Sequence, residues 1–310
     1  MKILVCDRLE EKVLDKFEEL GEITNISESK TKTEDLKSNI VDTDIVVIRS
    51  GTKINKDILE NSNNLKIIAR CGVGVDNVDV EEATNKKIYV TNSPNANIIS
   101  VAELTIGLII SAARKIHLSN NSLKDNKWDR NKFLGTELYQ KQLGLIGFGK
   151  AAKEVAKRLS AFGMDIVFFD PYVDTSAFDA KKVELDELLK TSDVISIHVV
   201  KNEETTNLLS NEKLDLIKKG GILVNTSRGG IIDEESLFQR ANEDLIFAGL
   251  DVFNQEPPDI NETFLNSNIV TTPHLGASTY EAQLKTGMET VQNVSDILNG
   301  ELSSVINLKK

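Results

Sequence analysis

Three side chains that follow apolar, strand-like segments have the chemistry to bind an anion and move a proton. His274 follows such a segment and a proline and precedes a helix start, and an imidazole exchanges protons near neutral pH. Arg228 lies in a glycine turn, where its planar guanidinium can donate two hydrogen bonds to a carboxylate. Glu256 precedes two prolines, and a carboxylate beside an imidazole favours the protonated imidazole. Taken singly, Arg228 would suit a surface ion pair and Glu256 a solvated loop.

The other two histidines stand in contexts that favour structural roles. His117 ends a helical stretch and is expected on the surface. His198 follows a strand-like run, which favours a loop or packing role, with contact to a cofactor as the alternative. His274 is therefore the histidine that we single out for proton transfer.

A glycine-rich turn offers a place for phosphate groups. Gly147, Gly149 and Ala152 occupy the small-residue positions of G-x-G-x-x-A, after an apolar strand and before an amphipathic helix. Gly147 permits a tight turn, Gly149 lets the backbone approach a pyrophosphate, and Ala152 keeps the helix close to the strand. The N–H groups near Lys150 and Ala151 would then point at the phosphates, assisted by the helix dipole.

An acidic residue at the end of the next strand strengthens the interpretation of this turn as a dinucleotide site. Asp170 is placed to accept both ribose hydroxyls of NAD and to repel the 2′-phosphate of NADP. The alternative is that Asp170 only caps a turn before Pro171. We therefore predict NAD rather than NADP as the cofactor.

These residues must be positioned by alternating strands and helices. Most of the strand-like runs are continuously apolar, as expected for parallel strands buried on both faces. Amphipathic stretches between them include a helix start at Asp233, with Glu234 and Glu235 in its first turn. The sequence thus predicts an α/β fold with two Rossmann-like, doubly wound parallel-sheet domains. The runs are KILVCD, DIVVIRS, LKIIARC, IYVTN, QLGLIGFG, DIVFFD, VISIHVV, GILVNTS, FAGLDVF and IVTTPHL.

Breaks in the pattern indicate how the chain divides. A turn-rich segment, SPNAN, precedes a long helical stretch from Ile98 to about Lys115, and a second long helix is expected over Ser278 to Leu298. Between them lies an irregular polar arm that contains Trp128. We predict a discontinuous outer, substrate-binding domain of residues 1–95 plus 283–310 and an NAD-binding domain of residues 96–282.

Composition narrows the possible partners and location. The formal net charge of −11 makes nucleic acid and anionic membranes unexpected partners. Cys6 and Cys71 lie in apolar runs and are expected to be buried free thiols, with neither a disulfide framework nor a metal site. The N-terminus is typical of a first strand rather than a signal peptide, and the longest apolar run is too short to span a membrane. A cytoplasmic protein is therefore expected.

Taken together, these motifs resemble the D-2-hydroxyacid dehydrogenase family through nearly the whole chain, and within it the phosphoglycerate branch. The arm and the VIRSGTKI segment point to that branch. The other segments that carry the resemblance are RCGVGVDNVD, NSPNANIISVAELTIGLI, GLIGFGKAAKEVAKRL, NTSRGGIIDEESL, GLDVFNQEPP and PHLGAST.

The resemblance implies roles for residues at the ends of many strands. It implies a catalytic trio of Arg228, Glu256 and His274. It implies substrate contacts that include the trio's Arg228 and His274 together with Arg49, Ser50, Arg70, Val73 and Gly74. It also implies NAD contacts at Val73, Gly147, Gly149, Lys150, Ala151, Asp170, Val199, Thr226, Ser227, Arg228, Asp251, His274, Gly276 and Ala277.

The function that the resemblance implies is oxidation of 3-phospho-D-glycerate to 3-phosphohydroxypyruvate with NAD, the first step of serine biosynthesis. The residues alone reach only a small, anionic hydroxy or keto acid. The alternatives are another substrate, namely glyoxylate or hydroxypyruvate, 2-hydroxyglutarate or D-lactate, and a non-enzymatic NAD-sensing scaffold like the corepressors of this fold. A homodimer that packs through the arm is expected, and no C-terminal regulatory domain is expected after the short tail.

Overall fold

The chain folds into two compact units. The computed structural model describes residues 1–27, 31–174, 179–261, 264–265 and 269–308. The first unit consists of Met1–Asn97 with Ala277–Lys310, and the second unit is Ile98–Gly276. The predicted divisions stood at residues 95 and 282, and the substrate and NAD roles assigned to the two parts remain predictions at this point.

The later division falls before residue 282 because of two local contacts. The Gly276 N–H donates to the Asp251 carboxylate at 2.9 Å, which ties that residue to the second unit. The Thr279 side chain accepts a hydrogen bond from the Ala282 N–H and so caps the last long helix, which packs in the first unit.

The first unit is built on a parallel sheet whose described strands have the order β2-β1-β3-β4-β5. Short helices connect the strands, and the closing helix α11 packs on β4, β5 and α1. The strands are β1 (Lys2–Val5), β2 (Glu22–Asn25), β3 (Ile45–Ile48), β4 (Ile67–Arg70) and β5 (Tyr89–Asn92). The helices are α1 (Glu11–Glu18), α2 (Thr33–Ile40), α3 (Lys56–Glu60), α4 (Val80–Asn85) and α11 (Tyr280–Leu298), with a 3-10 turn at Ile306–Leu308.

Both faces of this sheet are covered, which explains its continuously apolar strands. Along β1, Leu4 packs in the hydrophobic cluster on one face, whereas Ile3 and Val5 pack in the cluster on the other. Successive side chains of a strand point to opposite faces, so a strand buried on both sides needs apolar residues at every position.

The second unit is built on a longer parallel sheet with the strand order β12-β11-β10-β9-β6-β7-β8. Its described strands are β6 (Gln142–Ile146), β7 (Asp165–Phe169), β8 (Lys181–Lys182), β9 (Val194–Ile197), β10 (Gly221–Asn225), β11 (Ile246–Leu250) and β12 (Ile269–Thr271). Its helices are α5 (Ile98–Arg114), α6 (Ile116–Lys124), α7 (Lys150–Ser160), α8 (Leu185–Thr191), α9 (Asn211–Leu214) and α10 (Glu234–Asn242), with a 3-10 turn at Arg130–Phe133.

The strand order of the second unit reverses at β6, which pairs with β7 on one side and β9 on the other. Open parallel sheets bind ligands at such a reversal, beyond the carboxyl ends of the strands. Hydrophobic clusters cover both faces of this sheet as well. The predicted fold class of two doubly wound parallel-sheet domains is confirmed.

Some local predictions were incomplete. Strand β2 was not predicted, because its sequence is polar and its residues are mostly exposed on the edge of the sheet. The first part of the arm, predicted as irregular, is helical to Lys124. His117, expected on the surface, is half-buried in the first turn of α6.

Two predictions from composition can be compared with the structure. Cys6 and Cys71 are confirmed as buried free thiols. In the part of the chain that the structure describes, no helix is both long and apolar enough to cross a membrane.

Candidate active site

The glycine turn lies directly after β6, at the reversal of the strand order. Gly147 has a φ of +85°, and a Cβ there would lie 2.8 Å from the His198 carbonyl oxygen and 2.9 Å from a Val199 methyl carbon. Both backbone conformation and space therefore require glycine at this position. Ala152 is fully buried against the sheet, where a small residue lets α7 approach closely.

The outer side of the same turn is open. A Cβ on Gly149 would meet no atom within 4 Å. Gly149 is the N-cap of α7 and gives no side-chain hydrogen bond to the first turn of that helix, which contains Lys150 and Ala151. The N-terminus of an eleven-residue helix thus faces an accessible space with its partial positive charge.

Asp170 lies beside this turn, at the end of β7. Its Oδ2 accepts the Phe148 N–H at 2.7 Å, and its Oδ1 accepts the N–H groups of Tyr172 at 2.8 Å and Val173 at 3.1 Å. Asp170 therefore caps its own turn, as the alternative supposed, and it also braces the glycine turn. A carboxylate has about four acceptor positions, so these three bonds leave capacity for a sugar hydroxyl.

His274 and Glu256 form a direct pair. The His274 Nδ1 lies 2.7 Å from Glu256 Oε2, although the residues are separated by 18 positions in sequence. The second carboxylate oxygen, Oε1, accepts the Phe253 N–H at 3.2 Å. With Nδ1 engaged, Nε2 is the nitrogen that can exchange a proton with another molecule.

A buried carboxylate holds the loop that carries His274. Asp251 directly follows β11 and is fully buried. Its Oδ1 accepts the Thr272 hydroxyl and the Leu275 N–H, both at 2.6 Å, and its Oδ2 accepts the Gly276 N–H at 2.9 Å. The backbone N–H of His274 donates to the Asp251 carbonyl at 2.9 Å.

The same contacts fix an uncommon backbone conformation at the histidine. His274 has a φ of +54°, a left-handed conformation that non-glycine residues adopt only when neighbouring contacts stabilise it. Burial raises the pKa of Asp251, while its hydrogen bonds and the nearby His274 oppose that shift. Asp251 therefore positions the imidazole through the backbone, whatever its contact with a cofactor.

The Arg228 turn is organised by the last residue of β10. The Asn225 side chain accepts the Ser227 N–H at 3.0 Å and the Ser227 hydroxyl at 2.7 Å, and it donates to the Arg228 carbonyl at 2.8 Å. The turn also abuts the loop after β11, since a Cβ on Gly229 would lie 1.8 Å from the Phe253 carbonyl oxygen. The segments that carry Arg228 and Glu256 are thus packed against each other.

The remaining residues predicted in the second unit lie around this edge. Thr226 is buried, and its hydroxyl lies 2.7 Å from that of Thr105 in α5. Val199 is half-buried next to the glycine turn. Burial lowers the pKa of His198 to about 4, and its Nε2 lies 2.9 Å from the Ser196 hydroxyl, which supports the packing role predicted for it.

In the first unit, Arg49 and Ser50 lie in a loop after β3 that two side chains hold from opposite sides. Asp7 Oδ2 accepts the N–H groups of Arg49 at 2.6 Å and Thr52 at 3.2 Å. The Asn77 amide donates to the carbonyls of the same two residues, at 2.7 Å and 2.5 Å. Ser50 itself is exposed.

Arg70 and the Val73–Gly74 loop follow β4. The Arg70 guanidinium donates to the Cys71 carbonyl at 3.3 Å and lies over Gly72, where a Cβ would come within 1.4 Å of its Nη1. The Asn92 amide donates to the Val73 carbonyl at 2.5 Å and so fixes the loop. Val73 and Gly74 are half-buried.

One cation at this edge was not predicted from the sequence. Arg8 follows β1, the neighbour of β3, and the Arg49 Nη1 donates to its carbonyl at 3.4 Å. Within the described residues, neither arginine has a carboxylate within ion-pair distance. Arg8 is exposed and adds a second positive charge from the loop next to the one that carries Arg49.

The residues that organise these loops share a signal that the sequence does contain. Asp7, Asn225 and Asp251 are polar residues at the end of a buried strand or within two positions after it. Asn77 has no comparable local signal, because its role depends on the loop that happens to lie beside it.

Comparison with known proteins establishes the class to which this chain belongs. The family model for the NAD binding domain of D-isomer specific 2-hydroxyacid dehydrogenases matches residues 106–276. The chain therefore belongs to the D-isomer specific 2-hydroxyacid dehydrogenase family. The matched residues lie within the second unit, so that unit contains the NAD-binding domain.

Two similar sequences and one similar structure indicate which members of the family this chain resembles. The chain is 45% identical over 314 residues to a D-3-phosphoglycerate dehydrogenase of Methanocaldococcus jannaschii, covering 99% of this chain and 60% of that protein. It is 44% identical over 297 residues to a hydroxypyruvate reductase of Thermotoga maritima, covering 94% of this chain and 97% of that protein. An NAD+-bound 3-phosphoglycerate dehydrogenase of Entamoeba histolytica matches with a TM-score of 0.84 and 31% identity, covering 99% of this chain and 98% of that one.

The coverage differs between these relatives. The chain spans about three fifths of the length of the D-3-phosphoglycerate dehydrogenases that it matches, but nearly all of the hydroxypyruvate reductase.

NAD is the cofactor of this family, and the glycine turn fits it. Space that a Cβ on Gly149 would enter is open to a pyrophosphate, and the α7 N-terminus supplies positive potential there. Asp170 lies beside the turn with acceptor capacity for the ribose.

Proposed function

We propose that this chain is an NAD-dependent D-2-hydroxyacid dehydrogenase that oxidises 3-phospho-D-glycerate to 3-phosphohydroxypyruvate. The observation that carries the proposal is the 2.7 Å contact between His274 Nδ1 and Glu256 Oε2 in the unit that contains the NAD-binding domain. The general features of a proton-transfer pair are present: an imidazole, a carboxylate that orients it and an Nε2 left for the substrate.

In the oxidative direction, His274 Nε2 takes the proton of the substrate hydroxyl. Glu256 stabilises the imidazolium that forms, because its carboxylate lies against Nδ1. Arg228 binds the substrate carboxylate, for which its planar guanidinium is suited. The cofactor, when bound, supplies the hydride chemistry at its nicotinamide. In the reverse direction the imidazolium returns its proton to the developing alkoxide.

The phosphate of the substrate requires further positive charge. We assign that role to Arg49, assisted by Ser50 and Arg70. The N–H groups of the Val73–Gly74 loop are assigned to the substrate carboxylate. The Asp7 and Asn77 contacts hold the Arg49 backbone in place, so its guanidinium need not be ordered by the substrate alone.

A second candidate substrate is hydroxypyruvate without a phosphate. It is favoured by the hydroxypyruvate reductase of Thermotoga maritima, of which this chain covers 97%. The two candidates share the chemistry at His274 and differ only in the need for a phosphate site.

The proposal is tested by following NADH oxidation with a panel of keto acids. The panel contains phosphohydroxypyruvate, hydroxypyruvate, glyoxylate, 2-oxoglutarate and pyruvate. We expect the highest kcat/KM with phosphohydroxypyruvate. Arg49→Ala should then raise KM for that substrate and leave the values for pyruvate-sized acids unchanged. No turnover of any keto acid would exclude the dehydrogenase and favour an NAD-sensing scaffold.

The cofactor preference has its own test. Asp170 should make NADH the better cofactor, because its carboxylate repels the 2′-phosphate of NADPH. Comparable turnover with both cofactors would contradict this assignment.

We also propose a homodimer that packs through the arm. Trp128 is 78% exposed and Leu134 is 85% exposed in this chain, and burying apolar side chains of this size stabilises an interface between subunits. Light scattering at working concentration should give twice the mass of the chain, and a monomer would refute the proposal.

A further inference from the structure

A carboxylate on α10 reaches the loop that carries Glu256. Glu234 is the first residue of α10, beside the cap residue Asp233. Its Oε1 accepts the backbone N–H of Asn254 at 2.6 Å, a partner 20 residues away in sequence. Asn254 lies two positions before Glu256, so this bond fixes the turn immediately preceding the carboxylate that contacts His274.

The turn has little freedom elsewhere. The Phe253 N–H donates to Glu256 Oε1 at 3.2 Å, while Glu256 Oε2 contacts His274. The Phe253 carbonyl lies against Gly229, where a Cβ would come within 1.8 Å. The bond from Asn254 to Glu234 adds a polar contact between this turn and α10, whose Leu237 lies in the same hydrophobic cluster as Phe253.

The charges around Glu234 couple it to the same pair. Burial, with a smaller contribution from the negative charge of Glu256, raises the pKa of Glu234, and the Asn254 N–H and the Lys201 ammonium oppose the shift; together these effects place the pKa at about 7. Lys201 lies over Gly230, where a Cβ would come within 2.6 Å of its Nζ. On α10 itself, Asp233 accepts the Ser236 N–H at 3.1 Å, and Glu235 is exposed.

A negative charge on Glu234 would act on the imidazole through Glu256. When Glu234 is ionised, a second carboxylate stands behind Glu256 and favours the protonated form of His274. When Glu234 is protonated, only Glu256 does so. The hydrogen bond to Asn254 and the charge are therefore separate contributions that different variants can remove.

We propose that Glu234 is a positioning residue for the His274–Glu256 pair, holding the Phe253–Glu256 turn through the Asn254 N–H and adding its charge behind Glu256. The inference rests on the proposed function of that pair. Glu234 touches neither the imidazole nor, in this scheme, the substrate.

The test compares Glu234→Ala, which removes both contributions, with Glu234→Gln, which retains a carbonyl oxygen for Asn254 and removes the charge. Glu235→Gln is the matched control, since it removes the same charge from the neighbouring exposed position. We expect Glu234→Ala to lower kcat about tenfold with little change in KM, because the substrate-binding groups are untouched. Glu234→Gln should retain most of the kcat, with the pH dependence of kcat for the oxidation shifted to lower pH. The control should match the unaltered protein.

A second measurement does not require turnover. The titration of the His274 imidazole is followed by NMR in the unaltered protein and in the Glu234→Gln and Glu235→Gln variants. A lower titration midpoint in Glu234→Gln alone supports the inference. An unmoved midpoint together with a normal kcat in Glu234→Ala overturns it. If the unaltered protein turns over no keto acid while the midpoint still moves, the proposed function fails and the coupling of Glu234 to His274 stands.

Discussion

The two units use the same device at the carboxyl end of a sheet, with different consequences. In each, a carboxylate within two residues of the end of one strand accepts N–H groups from the loop after a neighbouring strand. Asp7, after β1, holds the loop that carries Arg49, and Asp251, after β11, holds the loop that carries His274. The strands in each case are hydrogen-bonded neighbours.

The difference lies in how many oxygens are used and how deeply they are buried. Asp7 is half-buried, and one of its oxygens accepts both N–H groups. Asp251 is fully buried and uses both oxygens. The arrangement at Asp7 holds a loop that carries a cation, whereas the arrangement at Asp251 fixes an imidazole in a left-handed backbone conformation. Acid–base chemistry tolerates less misplacement than charge attraction does.

The largest expected effect is on the chemical step. His274→Ala should lower kcat by about 10²–10⁴-fold, because general acid–base catalysis contributes that much, with NADH binding largely intact. Arg49→Ala should mainly raise KM. Stopped-flow NADH titration and steady-state kinetics separate the two effects. A near-normal kcat in His274→Ala would show that the histidine is not part of the mechanism. The proposed difference in function between the Arg49 loop and the His274 loop would then be wrong.

The next effect concerns the two carboxylates themselves. Asp251→Asn must place an amide NH₂ against an N–H or hydroxyl donor, so we expect a loss of about 2–4 kcal/mol in the free energy of unfolding. Asp7→Asn can keep a carbonyl oxygen toward both N–H groups, so about 1 kcal/mol is expected. Urea unfolding of both variants measures the difference, and equal losses would show that the number of oxygens used does not matter.

A smaller expected effect is a loss of stability at low pH that originates in the second unit. All three histidines lie in that unit. The His198 pKa is lowered by burial to about 4, below its unfolded value of 6.5. Between these values the unfolded state binds more protons, so stability falls as pH decreases from 6.5 and the loss is complete below about 4. We expect this to amount to about 1–3 kcal/mol.

His198→Gln should remove much of that loss while keeping a partner for Ser196. Calorimetry at pH 7 and pH 4.5 measures Tm for both proteins. Parallel decreases in Tm would mean that other groups cause the acid sensitivity.

The smallest expected effect is a change in KM when a positive charge is removed from the first unit. Arg8→Ala should raise KM for the phosphorylated keto acid about two- to fivefold, since an exposed charge is well screened, and should not affect hydroxypyruvate. Lys12→Ala, which removes the same charge from an exposed position on α1, is the control. An equal change for both substrates would assign Arg8 to general attraction of anions.

Much of this architecture is local in origin and could be predicted. Continuously apolar runs predict strands covered on both faces, and the G-x-G-x-x-A turn fixes where β6 ends and α7 begins. Strand β2 was missed, because an exposed edge strand needs no apolar face. The positions of Gly147, Asp170, Arg228, Glu256 and His274 at strand ends follow from the same local patterns.

Only the tertiary structure decides which side chains at those ends meet. Strand order makes the loops after β11 and β12 neighbours, and this brings Glu256 to His274 Nδ1 and Asp251 to the histidine backbone. It also makes β10 a neighbour of β11, and this brings Glu234 to Asn254. No local pattern encodes that order, because it depends on how helices on both faces pack the sheet. By itself, the sequence determined which residues could do the chemistry; the fold decided which atoms of those residues are held and which are left to react.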